Sequence, residues 1–161
     1  MAAEGWALYA EQLMSEPALR APPGFYTPEE RLYELQGQLL RDLRVRIDTG
    51  IHTGRMTFDD AVDLYSQVVD FLPGPCRGDT LSPEKKASCE TATRAVFRYS
   101  KWPTQAITYR LGKQRILALR ARATRIRPGP EGRRRFHLLF MQQGTVPPGD
   151  FEETLLADMK P

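Results

Sequence analysis

Apolar residues recur along most of this chain at intervals of three and four, which is the spacing of an amphipathic α-helix. In the opening segment, AEGWALYAEQLMSE, this spacing puts Trp6, Tyr9 and Leu13 on one stripe. Glu4 and Glu11, seven residues apart, share the neighbouring polar face. A stretch rich in Pro and Gly, EPALRAPPGFY, then interrupts the pattern. We therefore predict a first helix that ends before this loop.

Three of the following helices have recognisable starting signals. Thr27 and Thr57 are candidate N-caps, and Glu30 and Asp60 stand three residues after them, as in a capping box. Ser82 directly precedes a proline, and proline is favoured in the first turn of a helix. These signals predict the starts of the second, third and fourth helices.

The second helix is predicted from Pro28 to about Gly50. Its inward-facing stripe consists of Leu32, Leu35, Leu39, Leu43 and Ile47. The sequence PGP at 73–75 should end the third helix. The fourth should end near Tyr99, because Pro103 disfavours helical backbone at the residue before it.

The remaining apolar periodicity predicts helices at about 104–125 and 133–143, and a last turn or two from Asp150. Loops are predicted at 73–82 and 127–132. No run of alternating apolar residues is long enough to predict a strand. The sequence therefore predicts an all-α fold, a multi-helix array of about six helices within a single domain, residues 1–161.

Composition places the chain among globular proteins. It has 161 residues, 41% of them apolar and 27% charged. No apolar run approaches the roughly 18 residues that span a bilayer. The first 20 residues lack the basic segment and apolar core of a signal peptide, although a longer parent could carry a signal or a lipoprotein anchor upstream. Cys76 and Cys89 flank a turn-rich segment. The sequence is equally compatible with a disulfide between them and with two free thiols.

Charge is distributed unevenly along the chain. Residues 1–93 contain 15 acids and 9 bases, a net −6, whereas residues 94–135 contain 13 bases and one acid, a net +12. Such a segment could bind nucleic acid or an acidic partner. However, Arg110, Lys113 and Arg120 alternate with apolar residues, as on the solvated face of an amphipathic helix, and no nucleic-acid-binding motif accompanies them. We therefore do not expect nucleic-acid binding.

Several residues could carry chemistry. Glu4 and Glu11 could be metal ligands or an acid–base pair, but acids in a first helical turn also favour the helix dipole, and the residues alone favour that simpler reading. His52 could be a proton donor, a ligand or a helix C-cap. Tyr99 and Tyr109 could face a cleft or simply pack. No HExxH, GxSxG or phosphate-binding loop is present.

Four motifs follow one another over nearly the whole chain: EGWALYAEQL, RIDTGIHTGRMTFDDAVDLY, RYSKWPTQAITYRLGKQRILALR and FHLLFMQQGTVPPGDFEETL. In this order they resemble the bacterial family known as domain of unknown function 885. The stretch LPGPCRGDTLSPEKKASCET fits the family least well and looks like a local insertion.

Members of that family look like zinc metallopeptidases of the gluzincin kind, with an HExxxGHH-type helix upstream of the EGWA helix. The resemblance implies that Glu4 is the third zinc ligand. Zinc held by two imidazoles and one carboxylate keeps a fourth position for a water molecule. The resemblance also makes Tyr99, Tyr109 and His52 candidates for oxyanion stabilisation or substrate binding. Two further candidates for substrate binding, Gln105 and Arg98, lie in the same segment as Tyr99 and Tyr109.

The histidine-bearing helix of the family is not in this sequence. His52 and His137 are its two histidines, and they do not form an i, i+4 pair. We therefore expect the C-terminal part of a larger catalytic domain, inert alone. Its partners would be a peptide substrate and either the missing N-terminal half or a second copy bound through an exposed apolar face. The alternative is a non-enzymatic helical interaction module with a basic binding face.

Overall fold

The computed structural model describes residues 2–16, 24–78 and 80–160. In these residues all regular secondary structure is helical, which confirms the all-α prediction. The helices are α1 (Ala2–Met14), α2 (Pro28–His52), α3 (Phe58–Val69), α4 (Pro83–Lys101), a 3₁₀ turn (Gln105–Ile107), α5 (Thr108–Ile126), α6 (Gly129–Gln142) and α7 (Pro148–Asp158). Most of the predicted loop after α1, at 17–23, lies outside the described residues. No helix within the described ranges is long and apolar enough to cross a membrane.

The predicted helix starts are confirmed by their hydrogen bonds. The Thr27 N–H donates to Glu30 Oε2 over 2.8 Å, and the Glu30 N–H donates back to Thr27 Oγ1 over 3.2 Å. Thr57 and Asp60 form the same reciprocal pair at the start of α3. Ser82 Oγ accepts from the backbone N–H three residues later. Each cap satisfies N–H groups that the first turn of a helix leaves without partners.

Three helices begin at different residues from those predicted. α7 begins at Pro148 instead of Asp150 and continues to Asp158, so it is longer than the predicted turn or two. α5 begins at Thr108 instead of Thr104, because Thr104 adopts a left-handed backbone with φ of +69° and a 3₁₀ turn follows it. α6 begins at Gly129, earlier than the predicted Arg133, because Pro130 fits the first turn of a helix and does not break it.

The chain divides into two compact units. Unit 1 consists of Met1–Glu34 and Thr108–Pro161. Its core contains Tyr9, Ile116, Leu119, Ala123, Phe136, Phe140, Phe151, Leu155, Leu156 and Met159. α1 packs against α5 at a very short distance: a Cβ added to Gly5 would lie 2.5 Å from the backbone of Gly112. This contact needs glycine on α1 because any side chain there would collide with α5.

Unit 2 consists of Leu35–Ile107. Its core contains Leu43, Ile47, Ala61, Val62, Tyr65, Ala92, Val96, Tyr99 and Ala106. The buried ammonium of Lys85, at the start of α4, donates to Ser66 Oγ over 2.9 Å and to the Leu72 carbonyl over 2.7 Å. A disulfide between Cys76 and Cys89 ties the connection between α3 and α4 to α4.

The predicted inward stripe of α2 is buried along only part of its length. Leu43 and Ile47 are buried, at 5% and 0% exposure. Leu32, Leu35 and Leu39, however, are 68%, 46% and 43% exposed, so the prediction that they face inward is wrong. The stripe is continuous in sequence, but the core of unit 2 extends along α2 only as far as Leu40 and leaves Leu35 and Leu39 exposed.

The predicted solvated face of α5 is also wrong at two positions. Lys113 is 0% exposed, and Arg120 is half-buried. Both side chains lie in unit 1, where α1 packs against α5 and brings Gly5 against the backbone of Lys113. The charge of these residues suggested solvent exposure, whereas the close approach of α1 covers them.

Candidate functional site

Two of the sequence-predicted site residues lie beside the same helix crossing in unit 1. Glu4 directly precedes Gly5 on α1, and Tyr109 lies three residues before Gly112 on α5. Both side chains are partly exposed. Because Gly5 and Gly112 are in contact, the carboxylate-bearing turn of α1 and the tyrosine-bearing turn of α5 flank one point of closest approach.

The carboxyl group of Glu4 is in its charged form at neutral pH. Hydrogen bonds to the carboxylate lower its pKa below the usual value, against a smaller opposing effect of burial. A charged carboxylate is the form that binds a metal ion. The chemical state of Glu4 therefore fits the role that the family resemblance gives it.

His52 lies at the last residue of α2 in unit 2 and is exposed. Its Nδ1 is 3.2 Å from the carbonyl oxygen of Asp48. A carbonyl can only accept, so Nδ1 donates in this contact. The structure thus shows His52 capping a carbonyl at the end of α2.

Tyr99 is a core residue of unit 2, at 7% exposure. The guanidinium of Arg44 lies over its ring at 5.4 Å, and burial raises the pKa of its hydroxyl. These contacts are typical of a packing residue. Arg98, by contrast, is exposed, with its guanidinium carbon 6.0 Å from the ring centroid of Trp102. Gln105 is partly buried at the start of the 3₁₀ turn.

A hydrogen-bonded network in unit 1 was not predicted from the sequence. Tyr9 is fully buried, and its hydroxyl lies 2.7 Å from His137 Nε2 and 2.9 Å from Arg120 Nη1. Arg120 also makes two hydrogen bonds to Glu16, at 3.0 and 2.9 Å. The available signal was a tyrosine within an otherwise apolar stripe, because a buried phenol needs a partner. Its partners, however, are more than 100 residues away in sequence.

His137 is held neutral by this environment. Burial, together with the charges of Arg120 and Arg133, lowers its pKa to about 4. The ring also contacts Trp6 edge-on at 5.8 Å, while Trp6 stacks on Phe140 at 5.2 Å. Two side chains of α1, Trp6 and Tyr9, are therefore fixed against α5 and α6, and this fixes the helix that carries Glu4.

Several cations of the +12 segment are paired within unit 1. Arg122 forms ion pairs with Glu152 and Glu153. Arg133 lies 3.5 Å from Glu16, in addition to the Arg120 pair. The guanidinium of Arg135 donates twice to the carbonyl of Asp158, at the end of α7. These internal contacts reduce the charge that a basic binding face could offer to a partner.

The described residues do not by themselves complete a metal site. Within residues 2–16, 24–78 and 80–160, no three or more His, Cys, Asp or Glu side chains are grouped so that they could hold a metal ion. Glu4 fits the role of one carboxylate ligand, but zinc also needs further nitrogen, sulfur or oxygen donors.

Comparison with known proteins gives one match. A profile of the family described as Bacterial protein of unknown function (DUF885) matches residues 1–155. No curated protein and no solved structure matches the chain. The matched range includes the Gly5–Gly112 crossing, the Tyr9 network and all the candidate site residues. This chain therefore belongs to the bacterial DUF885 family.

Proposed function

We propose that this chain is the C-terminal part of a zinc-dependent peptidase and that Glu4 supplies one carboxylate ligand to the metal. The observation that carries this proposal is the position of Glu4, which directly precedes Gly5 of the Gly5–Gly112 crossing on a helix fixed from two sides, and whose carboxyl group is charged. A metal ligand must be held in one geometry, and its supporting contacts determine how well it is held.

The packing of α1 supports this role. The glycine contact fixes the distance between α1 and α5, and the hydrogen bonds of Tyr9 fix the rotation of α1 about its axis. A solvated acid in a first helical turn would need neither constraint. The same observations therefore favour a ligand over a residue that only complements the helix dipole.

Tyr109 is the better candidate for binding the oxyanion of a tetrahedral intermediate. It is partly exposed and lies beside the same crossing as Glu4, whereas Tyr99 is buried in the core of unit 2. A phenol hydroxyl that donates to a developing oxyanion typically lowers the barrier by a few kcal/mol. His52 is exposed at the end of α2 and remains a candidate for substrate binding.

The exposed part of the α2 stripe, at Leu35 and Leu39, supports the proposal that a second part of the enzyme packs against this chain. Leu35 and Leu39 continue the stripe of Leu43 and Ile47, which the core of unit 2 covers. Apolar side chains exposed on one helix face favour association with another apolar surface. We propose that the histidine-bearing half of the enzyme covers this face.

The first test uses the chain as it is. Incubated with zinc and a panel of peptides, it should bind no zinc at Glu4 and show no turnover. Turnover that Glu4→Gln abolishes would show that the isolated chain is itself an enzyme and would contradict the proposed need for a second half.

The decisive test joins the histidine-bearing half of a family member to the start of this chain. The fusion should bind one zinc ion and hydrolyse peptides. Glu4→Gln should weaken zinc binding by more than about 100-fold, and Glu11→Gln, on the same helix, is the matched control. Tyr109→Phe should lower kcat by about 100-fold or more with little change in KM, whereas Tyr99→Phe should not. A fusion whose zinc affinity is the same with Glu4→Gln would refute the assignment.

A further inference from the structure

An exposed aromatic ring with two cations beside it marks the end of α4. Trp102 is 51% exposed. The guanidinium carbon of Arg98 lies 6.0 Å from its ring centroid, and the ammonium of Lys101 lies 5.7 Å from it. Both side chains are themselves exposed. Contacts of this kind hold an exposed indole and two positive charges close together at the surface of unit 2.

The backbone that follows this group is strained and fixed. Thr104 has φ of +69°, a conformation that is uncommon for a β-branched residue. Its N–H donates to both carboxylate oxygens of Asp48, at 3.2 and 3.1 Å, and Asp48 is only 2% exposed. A surface turn without a further role could avoid this strain by using glycine. Strain of this kind, held by surrounding contacts, clusters at ligand-binding sites.

The helix dipole accounts for only part of the arrangement. Basic residues in the last turn of a helix interact favourably with its carbonyl end, which is a sufficient reason for Arg98 and Lys101 to be there. It gives no reason for a large indole to lie half-exposed beside them. Nor does it explain why a buried carboxylate holds the next turn in a strained conformation.

We propose that the segment Arg98–Gln105 binds a carboxylate group of a peptide. Arg98 and Lys101 pair with the carboxylate, the Trp102 ring packs against the neighbouring side chain of the ligand, and the Asp48-held turn keeps this surface in place. The choice of a peptide as ligand rests on the proposed peptidase function. The carboxylate can come from the C-terminus or from an acidic side chain, and these two sources can be separated experimentally.

The test titrates the isolated chain with four versions of one pentapeptide and follows tryptophan fluorescence. The versions have a free or an amidated C-terminus and, at one internal position, Glu or Gln. The peptide without any carboxylate should bind at least about tenfold more weakly than the peptide with both. Two of the peptides have one carboxylate each, at the C-terminus or on the Glu side chain. The one that binds as tightly as the peptide with both shows which carboxylate the site recognises. Trp102→Phe should remove the fluorescence change.

Variants separate binding from folding. Arg98→Gln and Lys101→Gln should each weaken binding several-fold, whereas Lys86→Gln, an exposed lysine near the start of the same helix, should not. Thr104→Gly should raise the melting temperature and yet weaken binding, which a purely structural role would not produce. Equal binding of all four peptides, binding of none, or full affinity in Arg98→Gln would each overturn the proposal.

The outcome does not depend on the peptidase assay, because binding needs neither zinc nor turnover. If the chain binds carboxylate peptides while the fusion remains inert, the peptidase function fails and the binding site stands. If the fusion hydrolyses peptides with the same kinetics in wild type and Arg98→Gln, this site assignment fails and the peptidase function stands.

Discussion

The hydroxyl oxygen of Tyr9 lies 2.7 Å from Nε2 of His137, across 128 residues of sequence. Arg120 donates to the same hydroxyl, and arginine cannot accept a hydrogen bond. We assign the single proton of Tyr9 to Nε2, because a buried phenol proton needs an acceptor and Nε2 lies within reach, and this assignment places the imidazole proton on Nδ1. In this arrangement a protonated ring would have no acceptor to offer to Tyr9.

This relationship predicts a loss of stability in mild acid. The pKa of His137 is about 4 in the folded protein, against an ordinary value of 6.5. The unfolded state thus binds more protons between these values, so the stabilising contribution is complete above about pH 6.5 and is lost as pH falls through 4. Because the ring is only half-buried, we expect on the order of 1–2 kcal/mol to be lost.

The measurement is urea denaturation of wild type and His137→Gln from pH 7.5 to pH 4. The variant should lose less stability across this range, because its amide can accept from Tyr9 without titrating. His52→Gln, at an exposed histidine, should keep the slope of the wild type. Identical slopes in wild type and His137→Gln would contradict the neutral assignment.

The Gly5–Gly112 contact predicts a strong effect of one added methyl group. Gly5→Ala places a Cβ 2.5 Å from the backbone of Gly112, and backbone cannot rotate away as a side chain can. We expect unfolding free energy to fall by about 1–3 kcal/mol or more. Gly149→Ala is the matched control, since its Cβ would meet no atom within 4 Å and alanine favours helix. Thermal denaturation that ranks the two variants equally would show that α1 can move away from α5.

The stripe of α2 predicts opposite responses at neighbouring turns. Leu43→Ala removes a side chain that is 5% exposed and should cost about 2–4 kcal/mol. Leu39→Ala removes one that is 43% exposed and should stay within about 0.5 kcal/mol in the isolated chain. Chemical denaturation measures both. In the fusion with the histidine-bearing half, Leu39→Ala should become destabilising, and an unchanged small effect there would mean that this half does not cover the stripe.

The disulfide predicts a dependence of stability on redox conditions. Cys76 and Cys89 are 13 residues apart. A disulfide that closes a loop of that size stabilises a protein by roughly 3 kcal/mol, chiefly because it lowers the conformational entropy of the unfolded chain. A double substitution to serine should therefore lower the unfolding free energy by about 2–3 kcal/mol. Reductant should bring the wild type to the same value and leave the double variant unchanged. A wild type that does not respond to reductant would contradict this prediction.

Local features of the fold could be predicted from the sequence, and relationships between distant segments could not. The capping boxes of α2 and α3 join residues that are three apart, so four consecutive residues are enough to predict each one. Periodicity identified the stripe of Leu39 and Leu43, but it indicates a helix face and not whether a neighbour covers it. The exposed end of that stripe was therefore predicted wrongly.

The candidate site shows the same division. Glu4 and Tyr109 were candidates by residue type, alongside simpler explanations that the local sequence left open, and the family motifs then implied a specific role for each. Lys113 was assigned to solvent because charge normally indicates exposure. Its burial follows from the absence of a side chain at Gly5, on a helix more than 100 residues away in sequence.

The discontinuity of unit 1 has a consequence for the order in which the protein folds. Lys85, Ser66 and Ser88 lie within 22 residues of one another, so the α3–α4 pair needs only short loops to close. α1 must wait for α5 and α6, which a ribosome makes more than 100 residues later, and contacts of such separation form slowly. Kinetic φ-values should then be higher for Ser88→Ala than for Tyr9→Phe. Until α5 and α6 are made, the helix that presents Glu4 lacks the contacts of Gly5 and Tyr9 that fix it in this chain, so this part of the candidate site acquires its native form late.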